Sequence, residues 1–88
     1  MKKNLKKILI VEDDSAIASI YQTVIKKAHF NVDVISSGQE AIKKIKDMEN
    51  NNEIKPDIIL LDLILPDING IEILRAIRRN DSTKDIIV

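Results

Sequence analysis

Two uninterrupted aliphatic runs, Ile8-Leu9-Ile10-Val11 and Ile58-Ile59-Leu60-Leu61, each stop abruptly at acid, the first at Glu12-Asp13-Asp14 and the second at Asp62. An aliphatic run without polar alternation reads as a strand buried on both faces, as in the centre of a parallel, helix-covered sheet. In open sheets of that kind, ligands bind beyond the carboxyl ends of the strands, where the strand order reverses. Both acidic groups fall at such an end, which predicts a shared acidic pocket.

The remaining pattern alternates strand and helix. A first strand over about Lys6 to Glu12 leads to a helix capped by Asp14 or Ser15, with Ile17, Ile20, Val24, Ile25 and Ala28 at helical spacing and an end near His29. Asn31-Val32-Asp33-Val34-Ile35 alternates in polarity and reads as an edge strand. After Ser36-Ser37-Gly38, a second helix over Glu40 to Met48 carries Ala41, Ile42 and Ile45 on one side. Asn50 to Glu53 reads as a loop, and Pro56 and Asp57 precede the third strand. Pro66-Asp67-Ile68-Asn69-Gly70 is a turn cluster, with Asp67 and Asn69 as turn and cap residues. Ile73, Leu74 and Ile77 mark a third helix to about Arg79, with Arg75, Arg78 and Arg79 on its solvated face. Asp85-Ile86-Ile87-Val88 opens a fourth strand. The order βαβαβαβ with right-handed crossovers predicts a parallel α/β sheet, spatial order 2-1-3-4, with helices on both faces and a switch point between strands one and three.

Composition narrows the classes of function. The chain has 88 residues, room for one domain with a modest core. Fourteen basic and fourteen acidic residues cancel, so no global field for nucleic acid exists, and Lys2, Lys3, Lys6 and Lys7 read as a solvated approach to the first strand. The absence of cysteine excludes disulfides and thiolate metal sites. No run approaches a membrane span or a secretory signal, and a cytoplasmic location is expected. His29, Tyr21 and Phe30 read as structural residues.

Carboxylates that converge repel one another, so they raise their own pKa values or hold a cation. An oxygen-only set without nearby His or Cys suits Mg2+, and a carboxylate beside that ion can accept a phosphoryl group. The alternative is that Asp13 and Asp14 only cap a helix and Asp62 only opens a turn.

The segments Ile8-Leu9-Ile10-Val11-Glu12-Asp13-Asp14 and Leu60-Leu61-Asp62-Leu63-Ile64-Leu65-Pro66-Asp67-Ile68-Asn69-Gly70 closely resemble the two signatures of response-regulator receiver domains, and the likeness runs over residues 1–88. That resemblance implies a flavodoxin-like fold and a phospho-accepting signalling domain rather than an enzyme. It implies Asp62 as phosphoacceptor, and Mg2+ held by Asp13, Glu12, Asp62 and the backbone carbonyl of Ile64. The implied donor is a histidine kinase or phosphotransfer protein, with no direct nucleic-acid or membrane partner. A complete receiver continues with a Thr or Ser ending its fourth strand, a fifth strand ending in Lys, and further helices, so the likeness implies a receiver cut short, without an effector domain. Lys84 precedes the fourth strand and does not correspond to that lysine. Phosphotransfer is therefore expected to be slow and switching to be lost. Self-association through the unfinished sheet is expected too. The rival reading is a non-switching remnant serving as a protein-interaction module. A haloacid-dehalogenase-like phosphatase needs an acid two residues after the nucleophile, where this chain has Ile64.

Overall fold

A computed structural model describes residues 6–50 and 55–88. In chain order the elements are β1 (Lys7–Val11), α1 (Ser15–Lys27), β2 (Asn31–Ile35), α2 (Gly38–Asn50), β3 (Ile58–Leu61) and α3 (Gly70–Arg79). The sheet is parallel with order β2-β1-β3. Each strand sits where the sequence predicts it, with the alternating strand at the edge. The second helix begins earlier than expected, at Gly38 rather than Glu40, and runs on through Asn50, while the third begins at Gly70, the last residue of the expected turn cluster. The rest of the expected asparagine loop, residues 51–53, lies outside the described residues.

The fourth strand is reduced to one parallel bridge between Ile87 and Ile58, with the Ile59 amide donating to the Ile87 carbonyl at 2.8 Å. That bridge lies on the free edge of β3, the place expected for a fourth strand. Arg78 holds the segment there by donating to the carbonyls of Lys84 and Ile86, each at 2.6 Å. Arg78 is exposed, as expected of the solvated face, and these bonds give it a tethering role besides. Fully buried Thr83 adds a second tie by donating its hydroxyl to the Ile77 carbonyl at 2.8 Å.

The pleat divides the aliphatic runs between two faces. Leu9, Val11 and Ile59 point to one side and form the core with Ala41, Ile45 and Met48 of α2 and Ile73 and Ile77 of α3. The other side carries the buried Ile8 and Ile10 of β1, and there Tyr21 of α1 lines a cleft with Ile10 and Leu60. Only Ala18 of α1 is buried, while Ile17, Ile20, Tyr21 and Val24 are exposed. The helical spacing of these apolar residues is correct, but these four stay exposed, Tyr21 beside Ile10 and Leu60.

The helix ends follow local chemistry. Asp14 Oδ1 accepts from the amides of Ala16 and Ile17 at 2.9 and 3.1 Å, which makes Asp14 the N-cap of α1. At the other end, the Phe30 amide donates to Ile25 O and the His29 amide to Lys26 O, with His29 at φ 68°. This is the Schellman closure, and His29 occupies its left-handed position. Its role is structural, as the sequence suggests.

Candidate functional site

Parallel pairing carries the backbone straight into the acids. Beyond the last residue of β1, the Glu12 amide still donates to Ile35 O at 3.0 Å, and beyond β3 the Asp62 amide donates to Val11 O at 3.0 Å. These two bonds extend the ladders past both strand ends and hold Glu12, Asp13 and Asp62 side by side at the switch point. One carboxylate oxygen from each of the three lies within 4.8 Å of the other two. Asp13 is exposed, and Glu12 and Asp62 are partly buried.

The site is biased toward binding positive charge. Partial burial holds the Glu12 carboxyl above its ordinary range, and the charges of Asp62 and Asp13 push it further the same way. The Asp14 amide, 3.2 Å from Glu12 Oε2, works against that rise. On Asp62, Oδ1 accepts from the Ile64 amide at 3.0 Å. Ile64 thus reaches the site through its N–H, and its side chain is exposed. A small cleft of about 150 Å3 adjoins the acids, lined by Ile10, Val11, Glu12, Tyr21, Leu60, Leu61 and Asp62.

The loop after Asp62 is fixed by two contacts that the sequence shows only in part. Asn69 caps α3 through Ile71, as expected of a local cap. Asp67 instead caps a helix distant in sequence, since its carboxylate accepts from the amides of Gly38 and Gln39, both at 3.0 Å, at the start of α2. A cap reaching across 28 or 29 residues leaves no local signature. Those bonds hold the Asp67 carboxyl below its ordinary value of 3.8. A lowered folded pKa contributes stability that is present above the ordinary value and lost as pH falls through the folded one. Asp67→Ala is therefore expected to be less stable than the parent chain at neutral pH, with the gap closing below 3.8. Urea unfolding of both chains across that range is the check. A gap independent of pH would mean that the carboxylate is not the stabilising group.

The arrangement is a doubly wound parallel α/β domain with three carboxylates at its switch point, which defines a receiver-like class. The family model for the response regulator receiver domain matches residues 8–88. Among curated relatives, response regulator ArlR of Staphylococcus saprophyticus is 39% identical over 84 residues, covering 96% of this chain and 36% of that protein. Transcriptional regulatory protein TrcR of Mycobacterium tuberculosis is 35% identical over 75 residues, covering 85% of this chain and 27% of its own length. The chain thus spans about a third of the length of these relatives. Among solved structures, the phosphorylated cyanobacterial phytochrome response regulator RcpA matches with TM-score 0.83 and 34% identity, over 94% of this chain and 61% of that one. The fold is shared with the receiver domain of a sensor histidine kinase from Pseudomonas aeruginosa PAO1, solved with a magnesium ion in its active site cleft (TM-score 0.81, 22% identity, 94% of this chain and 63% of that one). The chain belongs to the response regulator receiver domain family.

Proposed function

We infer that this chain accepts a phosphoryl group on Asp62 from a phosphohistidine of a histidine kinase or phosphotransfer protein, as a cytoplasmic component of a two-component relay. The observation that carries this reading is the convergence of Glu12, Asp13 and Asp62 within 4.8 Å at the switch point of a receiver fold. An oxygen-only donor set fits Mg2+, with Asp13, Glu12 and Asp62 as carboxylate ligands and the Ile64 carbonyl as a further one. Bound there, the ion would supply neutralisation of phosphoryl oxygens.

The chain's own groups do the rest. The Ile64 amide engages Asp62 Oδ1 and fixes the carboxylate plane, so Oδ2 is the oxygen available to attack. As Oδ2 forms its bond to phosphorus, the P–N bond of the donor breaks and the imidazole leaves with the electron pair. Glu12 and Asp13 draw the cation to the acceptor. With only two glycines, these 88 residues carry no glycine-rich phosphate loop, which supports a phosphohistidine over a nucleotide as donor. No described helix is long and apolar enough to cross a membrane.

Incubation with a small acyl phosphate and Mg2+, followed by peptide mass spectrometry, tests this directly. Incorporation is expected only on the peptide that carries Asp62, and none is expected in Asp62→Asn. Equal incorporation in that variant would sink the assignment.

A further inference from the structure

The turn that follows Asp62 is braced on an element far from it in the chain, by an acid outside the trio at the switch point. Within the turn the bonds are internal. The Gly70 amide donates to Leu63 O at 3.0 Å, Ile64 and Asn69 form an antiparallel bridge, and the Ile64 amide donates to Asp62 Oδ1 at 3.0 Å. Bonds of that kind hold the shape of the turn but let it tilt as one piece about its two ends. Among the described residues, the hydrogen bonds that reach from the turn to another element are those of the Asp67 carboxylate to α2. Oδ1 accepts from the Gly38 amide and Oδ2 from the Gln39 amide, both at 3.0 Å, so the carboxylate plane is fixed at two points. Leu65 and Ile68 add apolar packing, which is not directional.

Two observations separate this contact from an ordinary helix cap. Helix α2 has a local cap of its own, since Ser37 Oγ accepts from the Glu40 amide at 3.2 Å. A Cβ on Gly38 would lie 2.8 Å from Ile68 Cβ and 3.1 Å from Asp67 Oδ1, so the turn is seated directly against the start of α2. That start is a firm support, because Ala41, Ile45 and Met48 bury the helix in the core. The Ile64 amide is where the bracing reaches the acceptor. Asp62 keeps its backbone place through the bond of its amide to Val11 O, whereas Ile64 moves with the turn. We propose that Asp67 is a positioning residue for phosphoryl transfer: by bracing the turn on α2 it keeps the Ile64 amide on Asp62 Oδ1, which leaves Oδ2 turned toward the donor. This role rests on the reading of Asp62 as acceptor. A misplacement of ~1 Å in such an arrangement costs up to ~100-fold in rate.

The test compares folded chains at saturating Mg2+ with acetyl phosphate as donor, whose bond between phosphorus and the acyl oxygen breaks as Asp62 Oδ2 bonds to phosphorus and acetate leaves. Modification of Asp62, followed by peptide mass spectrometry, is expected to slow roughly 10- to 100-fold in Asp67→Ala. Asp67→Asn keeps one acceptor oxygen and is expected to recover part of that loss. Ser37→Ala removes the local cap but not the brace, and is expected to keep the parent rate. The Ile64 amide proton resonance reads the bond to Asp62 independently of transfer. It should move upfield in Asp67→Ala and stay in place in Ser37→Ala. Equal rates in Asp67→Ala and the parent would overturn the positioning role and leave Asp62 as acceptor. So would equal slowing in Ser37→Ala, or slowing with the Ile64 resonance unmoved. No incorporation into the parent chain would instead overturn the acceptor reading, and this proposal with it.

Discussion

Mg2+ binding is expected to collapse in the double variant Asp13→Asn/Asp62→Asn, with dissociation constants raised by more than two orders of magnitude. Two unit charges 4 Å apart attract by ~1 kcal/mol in bulk water, so a divalent ion and one carboxylate attract by ~2 kcal/mol, or roughly 30-fold in affinity. Partial burial of Asp62 makes the water value a lower bound there. Removing two of the three clustered carboxylates leaves Glu12 alone, which does not hold a strongly hydrated ion. In an NMR titration of the parent chain, the largest Mg2+-dependent shifts are expected at residues 12–14 and 62–65, and the double variant should lose them. Shifts that persist in the variant, or that centre elsewhere in the parent, would place the cation outside this pocket.

Gly70→Ala is expected to damage stability and site together. A Cβ built on Gly70 would lie 2.4 Å from Leu63 Cα and 2.6 Å from Asp62 O, and both atoms are backbone. Neither can turn aside as a side chain could. The conflict moves either the start of α3 or the loop that carries Asp62, and the Gly70 amide bond to Leu63 O at 3.0 Å ties the two together. Overpacking of this kind costs ~1–3 kcal/mol, a large part of the ~5–15 kcal/mol that holds an ordinary domain. For a chain of this size that corresponds to a fall in Tm of ~4–8 °C per kcal/mol. Thermal unfolding measures the stability loss, and the Mg2+ titration measures displacement of Asp62. An unchanged Tm with unchanged Mg2+ shifts would show that the loop yields freely. Gly38 makes a milder case, because its nearest neighbour is the Ile68 side chain at 2.8 Å.

Much of the fold was legible in local pattern because each signal acts over a few residues. The unbroken runs at 8–11 and 58–61 mark strands expected to be buried on both faces, and alternation over 31–35 marks the edge strand; the positions of all three hold, and β1 is buried on both faces, but in β3 only Ile59 is buried and Leu60 is 41% exposed. The acids of the site were legible for the same reason. They follow directly on strand ends, and parallel pairing must bring such ends together. The starts of α2 and α3 were less legible. Gly38 and Gly70 look like breakers in isolation, yet each is a helix start where backbone or a side chain approaches too closely for a Cβ.

What the sequence by itself determined is therefore the element order, the edge position of β2 and the convergence of Glu12, Asp13 and Asp62, since all three follow from periodicity and parallel geometry. The tertiary structure alone decided which residues meet across long sequence separations. It assigned Asp67 to cap α2, set Arg78 on the carbonyls of Lys84 and Ile86, and placed Thr83 beneath the end of α3. It also decided that Ile17, Ile20, Tyr21 and Val24 stay exposed, with Ala18 the buried residue of α1. Helical spacing shows that apolar residues share a face, but only packing shows whether anything covers that face.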